Sequence, residues 1–333
     1  MMKRSSWLAG PYLGLFVVIA LFVVLIGLKG GLEKFLSFRN LQLIVHESTI
    51  PGVVALGMLL VIVSGGIDLS VGSVIALVTV TTMQTYRLMF HGPETIPWAS
   101  TIAVSVGIIT GALCGLTNGW VITKLRLTPF VATLGMFGIA RGLAVWLSGR
   151  TLISFPKDGT PEWVSALARV HVPVIQFNPG FWSLVALSVL TAILLHRTIL
   201  GRHIYAIGSN EATARLCGVR VDRAKVWVYT LAGALTGWAG ILLLSQGASG
   251  DPSAGEALEL QVIAAVVIGG AQLGGGRGAI LGTLTGVLIL QVLNNGVGLF
   301  NVPVEMQYIL VGAIIIVNTA LARWHPLRQG VNS

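Results

Sequence analysis

Apolar runs long enough to cross a bilayer follow one another along almost the whole chain, parted by short hydrophilic gaps. An apolar helix needs about 20 residues to cross roughly 30 Å of hydrocarbon. The runs place ten candidate spans at 11–28, 49–65, 70–86, 98–122, 129–148, 181–196, 226–246, 259–273, 278–298 and 304–322. Hydrophobic residues make up 54% and charged residues 10% of the 333 positions, against about 45–50% and about 25% in soluble domains. A soluble protein this apolar could not clothe its surface, so the chain is expected to be an all-α integral membrane protein. The first run follows Lys3 and Arg4 but is long, and LKGGLEKF rather than a small-residue cleavage site comes next, so it is expected to be a retained helix.

Ten spans put both termini on one side, and basic residues decide which. With the N-terminus inside, 13 basic residues fall in the cytoplasm: Lys3, Arg4, Lys124, Arg126, Arg197, Arg202, Arg215, Arg220, Arg223, Lys225, Arg277, Arg323 and Arg328. Seven fall outside: Lys29, Lys34, Arg39, Arg87, Arg150, Lys157 and Arg169. Arg141 is left within a span. The bias of lysine and arginine toward the cytoplasm favours this orientation, with both termini cytoplasmic. It also accounts for the net charge of +9 without a nucleic-acid partner, since no gap interleaves basic and aromatic residues.

Two gaps are long. The one at 149–180 is expected outside, as a partly ordered loop carrying Pro156, Pro161, Pro173 and Pro179. The other, at 197–225, is expected inside. No soluble domain is expected at either end, so the chain reads as one transmembrane domain over 1–333.

Enzymatic signatures are missing from the sequence. There is no GxxxxGK[ST] phosphate loop, no HExxH and no GxSxG. The six histidines show no metal-ligand spacing, and Cys114 and Cys217 lie in no CxxC pair. Transport against a gradient would therefore draw its energy from another subunit or from an ion. An ion-coupled carrier needs ionisable groups inside the membrane, and the candidates are few: Asp68, Arg141 and Glu259.

Asp68 lies in GGIDLS, which interrupts the second and third spans. A short acceptor at such a break can satisfy free backbone amides, so a capping role competes with an ion-binding one. The segment Gly65–Gly72 shares the pattern GGxxLxxG with Gly269–Gly276, at another break between close apolar runs. Glycine-interrupted spans in corresponding places point to a transporter's binding region, although glycine is common enough here for chance to compete. Glycines four apart also recur, at Gly111, Gly115 and Gly119, at Gly233 and Gly237, and at Gly278, Gly282 and Gly286, and are expected to be helix-packing faces. Asn118, Gln291, Asn294 and Asn295 are amides within spans, which either bond neighbouring helices or line a path for a neutral polyol.

Within the inner gap, EATARLCGV follows Ser209-Asn210, a helix-start signal, and stops at Gly218, a helix-stop signal. Basic residues surround it. A short capped helix between two spans suits docking against another protein.

Four stretches carry a resemblance to a known family. VALGMLLVIVSGGIDLSVGSVIAL at 54–77, TPFVATLGMFGIARGL at 128–143, GRHIYAIGSNEATARLCGVRVDRAKVWVY at 201–229 and VIAAVVIGGAQLGGGRGAILGTLTG at 262–286 resemble, in order, the permease subunits of ribose-type bacterial ABC sugar importers. The resemblance implies a type II importer fold of about ten spans in the bacterial inner membrane, and two permease chains, identical or related, enclosing a path. It implies cytoplasmic ATPase subunits that bind the ATP and magnesium, no cofactor on this chain, and a periplasmic sugar-binding protein that delivers a monosaccharide. The family's coupling helix falls on Gly208, Ser209, Asn210, Ala214, Arg215, Gly218 and Val219. Its junction near the path falls on Gly65, Gly66, Asp68 and Ser70. An ion-coupled carrier using Asp68 is the competing reading.

Overall fold

The computed structural model describes residues 6–28, 30–168, 177–299 and the single positions 306, 309 and 312. Of the expected span at 304–322 only positions 306, 309 and 312 are described, and both chain ends lie outside the described residues. Thirteen α-helices are described: α1 Ser6–Leu28, α2 Leu32–Phe35, α3 Phe38–Val63, α4 Val71–Met89, α5 Ile96–Lys124, α6 Pro129–Leu147, α7 Glu162–Ala168, α8 Pro179–Arg197, α9 Ile199–Ser209, α10 Glu211–Leu216, α11 Val221–Gly247, α12 Leu258–Ile268 and α13 Ile280–Leu299. Among the described residues, seven helices are long and apolar enough to cross a membrane: α1, α3, α5, α6, α8, α11 and α13.

Two expected spans are not among these seven. Helix α4 has 19 residues, enough for a crossing, but its hydroxyl-rich sequence is enclosed by neighbours. Helix α12 has only 11 residues, about 16 Å at 1.5 Å per residue, or half a bilayer core. Residues 251–257 lead into α12 as irregular backbone. They run beside α4, where Thr79 Oγ1 lies 3.2 Å from both the carbonyl oxygen and the amide nitrogen of Asp251. Non-helical backbone at membrane depth persists only where protein or a cavity satisfies it.

Helix α3 is the central element. Val53, Val54, Ala55, Leu56, Leu59, Val61, Ile62 and Val63 are all 0% exposed, as expected of a helix that is apolar on every face. Helices α8, α11, α12 and α13 pack around it. Peripheral α1 lies against α13 through Phe22, Val292, Leu293 and Val297.

The glycine ladders pack as expected. Gly111 and Gly115 of α5 face Gly233 and Gly237 of α11, so closely that a methyl group on any of them would strike the opposite backbone. Gly282 and Gly286 of α13 meet Gly269 and Ala265 at the end of α12 in the same way. In lipid, where helices gain little from hydrophobicity, such backbone approach supplies the dispersion contacts that hold them together.

Segments expected on the same side of the membrane meet in the structure. At one end, here the His46 end, β1 Ile153–Ser154 pairs antiparallel with β2 Ser249–Gly250, a ribbon without a sequence signal. Tyr86 Oη donates to the Gly159 carbonyl at 2.5 Å. Buried His46 places Nδ1 2.7 Å from Asn178 Nδ2 and Nε2 3.1 Å from Gln246 Nε2, tying α3 to the start of α8 and the end of α11. The long gap at 149–180 is thus partly built, with α7 and the N-cap of α8 docked on the bundle.

Replacing Gly233 by Ala is expected to lower the thermal unfolding temperature of the detergent-solubilised protein, since overpacking costs about 1–3 kcal/mol. Gly138→Ala is the matched control, because its new methyl group meets nothing. Equal unfolding temperatures for the two variants would contradict the packing role of the α5–α11 ladder.

Candidate functional site: the glycine junction and the docking helix

The GGIDLS break is braced from within and pinned from two helices. Ser70 donates to Asp68 Oδ1 from its amide at 2.8 Å and from its hydroxyl at 2.6 Å. Asn118 Nδ2 of α5 donates to Ser70 Oγ at 3.0 Å. From α6, Thr133 Oγ1 accepts from the Leu69 amide at 3.2 Å and lies 3.3 Å from the Ile67 carbonyl to which it donates. Asp68, Ser70, Asn118 and Thr133 are all buried. Asn118 sits six residues before the end of α5, about 9 Å inside it, so the break is sunk in the bundle. The carboxylate of Asp68 is consumed in shaping the turn that starts α4, which supports the capping reading. Thr133 is a part of this anchor that sequence reasoning missed, because an isolated threonine in an apolar helix carries no pattern.

The in-span amides also bond helix to helix. Asn295 and Asn40 exchange two bonds, at 3.0 and 2.9 Å, joining α13 to α3. Gln291, one turn before Asn295, and the adjacent Asn294 are half-buried.

The two glycine breaks begin alike. Helix α3 ends with Gly65 donating to the Ile62 carbonyl at 2.9 Å and Gly66 to the Val61 carbonyl at 3.0 Å. Helix α12 ends with Gly270 donating to Val267 at 2.9 Å and Ala271 to Val266 at 3.1 Å. These are the paired bonds of a Schellman stop, with Gly65 and Gly270 at φ of +84° and +92°. Structurally Gly65 thus matches Gly270, one residue later than the GGxxLxxG alignment pairs it.

Both breaks converge on the end of α9. The Gly276 amide donates to the Val63 carbonyl at 2.9 Å. A methyl group on Gly208 would strike the Val63 carbonyl and the Gly276 amide, and one on Gly275 would lie 2.8 Å from Gly208 Cα and 2.9 Å from Gly65 Cα. Tyr205 Oη donates to the Gly278 carbonyl at 2.9 Å. Three chain segments therefore touch backbone to backbone, with no side chain between them. Gly66 lies directly beneath the Tyr229 ring hydroxyl of α11.

Helix α10 follows this junction at once. Asn210 Oδ1 caps it by accepting from the Thr213 amide at 2.9 Å, worth about 1 kcal/mol. Its end has the same Schellman bonds: Gly218 donates to Arg215 and Val219 to Ala214, each at 3.0 Å. Arg215 bridges Glu211 at 3.0 Å and Asp222 at 2.6 Å, and Lys225 reaches Glu211 at 2.7 Å. Partial burial alone would raise the Glu211 carboxyl, but the bonds and charges of Lys225 and Arg215 hold it below the usual range. The clamp is therefore complete at neutral pH and is lost only as pH falls through that lowered value.

Not all of the expected docking residues face outward. Ala214 is buried with Ile207, Val221 and Ala224 and anchors α10 to its neighbours. Val219 packs against the same cluster. Leu216 is 89% exposed and, with Cys217 and Gly218 beside it, forms an apolar knob that the charge pattern concealed. Preceding α9, also missed within the gap, is amphipathic and buries Gly201, Ile204 and Ile207.

If Asp68 works as a turn acceptor, Asp68→Asn should unfold within a few degrees of the unchanged protein, because Oδ1 is kept. Asp68→Ala leaves buried donors unpaired and is expected to cost about 1–3 kcal/mol. Thermal unfolding in detergent separates the two, and equal damage by both would show that the charge itself is required.

The residues that build this site fall within the segment matched by a known family. Residues 40–319 match the family described as branched-chain amino acid transport system / permease component. The chain is 38% identical over 320 residues to the ribose import permease protein of Bacillus subtilis (strain 168), covering 94% of this chain and 92% of that one. It is 35% identical over 330 residues to the fructose import permease protein of Rhizobium meliloti, covering 96% and 86%. It is also 35% identical over 302 residues to the ribose import permease protein of Escherichia coli (strain K12), covering 90% of each. No solved structure matches the chain. With its multi-pass helical membrane fold and a family match across most of its length, the chain belongs to this family of transport-system permease components.

Proposed function

We propose that this chain is the membrane subunit of an ATP-driven ABC importer, and that it forms with a second permease copy or paralogue the path for a monosaccharide. A separate ATPase subunit binds the ATP and magnesium and docks on α10 from the cytoplasm. A periplasmic binding protein delivers the sugar at the His46 end. The chain binds no cofactor of its own and sits in the bacterial inner membrane among lipids.

The observation that carries this reading is the seating of α10. A short helix is capped at both ends, clamped by Arg215, Glu211, Asp222 and Lys225, and presents Leu216 to solvent. An idle loop has no need of such bracing. Through α9 it bears on both glycine breaks, so a push on α10 reaches the ends of α3 and α12 and the approach to α13. Alternate opening of the path then follows as a bistable rearrangement biased by ATP on one face and loaded binding protein on the other. The sugar class is taken from the relatives, which are named as ribose and fructose import permeases.

Reconstitution in vesicles with the ATPase and binding protein tests it directly. Uptake of labelled ribose or fructose is expected only with all components and ATP. Leu216→Glu should reduce ATPase co-purification and uptake at least tenfold while membrane insertion persists. Uptake driven by an ion gradient without the ATPase would overturn the reading in favour of a secondary carrier.

A further inference from the structure

Arg141 is a charged residue in the interior of α6, and the docking helix and the glycine junction leave it unexplained. Its Nη1 donates to the carbonyls of Pro252 at 2.6 Å and Ala254 at 3.2 Å. It thus satisfies the irregular backbone that precedes the half-length α12. Beside it opens a cavity of about 390 Å³, lined by Phe137, Arg141, Arg150, Pro252, Glu256 and Glu259 among others. A second recess of about 660 Å³ continues along α6 and shares Arg141 and Arg150 with the first. Volumes of about 300–1,000 Å³ are typical of small-molecule sites.

The position is that of a path. Phe137 lies eight residues into α6, about 12 Å from its start, and Arg150 lies just beyond its other end at the His46 face. The cavity therefore runs from that face toward mid-membrane. At its inner edge, Glu259 Oε2 is buried without a hydrogen-bond partner among the described residues. It abuts Gly72 of α4, two residues after the Asp68–Ser70 turn. The cavity thus ends against the GGIDLS break.

The lining chemistry selects the ligand class. Two guanidinium groups and two carboxylates balance, so neither an anion such as a lipid phosphate nor a cation is favoured. Carboxylates accept from vicinal hydroxyls, arginine donates to hydroxyl and ring oxygens, and an aromatic face covers the C–H surface of a pyranose or furanose.

We infer that the recess between Phe137 of α6, Arg150 just beyond it and the 252–259 segment is a transit subsite for a neutral sugar, in which Glu256 and Arg141 hydrogen-bond its hydroxyls and Phe137 packs on its ring. This rests on the sugar-import reading. The test uses the full reconstituted complex with D-ribose and D-fructose as probes. Glu256→Gln and Phe137→Leu should each lower sugar uptake at least tenfold, while ATP hydrolysis stimulated by the binding protein stays within twofold. As a second measurement, Val145→Cys, in a chain with Cys114 and Cys217 replaced by serine, is labelled from outside with a membrane-impermeant thiol reagent. Saturating transported sugar should slow that labelling at least threefold. Normal uptake by both variants, or labelling untouched by sugar during active transport, overturns the subsite and leaves the importer reading standing. Failure of the unmodified complex to import either sugar overturns both.

Discussion

Helices in a bilayer gain little from burying apolar surface against one another, because lipid is as apolar as they are; contact must be close to be favourable. In this chain Gly208, Gly275 and Gly65 mark a point where three segments meet backbone to backbone. The rest of the structure depends on that point. It fixes where α3 stops, where the chain leaves α12 for α13, and how α9 presents α10. A side chain on Gly208 or Gly275 would push α9, and α10 with it, away from the core.

Polar groups in the interior serve this framework. Asp68 and Ser70 form a turn, Asn118 and Thr133 hold the turn to α5 and α6, and Asn40 and Asn295 join α3 to α13. Each supplies a bond that lipid cannot. The charge of Asp68 first suggests chemistry, yet its oxygen is occupied by Ser70 and the residue is enclosed. Arg141 plays the matching part for the second interrupted pass, holding the carbonyls of Pro252 and Ala254. The two devices differ in one respect, since Arg141 also faces a cavity.

Much of this was legible in the sequence because the signals are local. Apolar length marks spans, Asn210 and Gly218 mark the ends of α10, and glycines four apart mark the α5–α11 seam. What was not legible depends on contacts distant in sequence. The run at 259–273 reads as a span, but the stop at Gly270 and the left-handed Ala257 cut its helix to 11 residues. The β1–β2 ribbon joins residues about a hundred positions apart, and two-residue strands carry no periodicity. Ala214 and Leu216 are both apolar neighbours in one short helix, and only the packing of α9 decides which is buried. The two GG pairs align by letter, whereas the backbone aligns them one residue apart.

The central claim is that motion of α10 reaches the core through backbone contact at Gly208. The most direct measurement is sugar imported per ATP hydrolysed by the reconstituted complex carrying Gly208→Ala. The account predicts that the ATPase still assembles and hydrolyses ATP, while import per ATP falls at least fivefold, because the added methyl group pushes α9 off Val63 and Gly276. Import per ATP equal to that of the unchanged complex would contradict it.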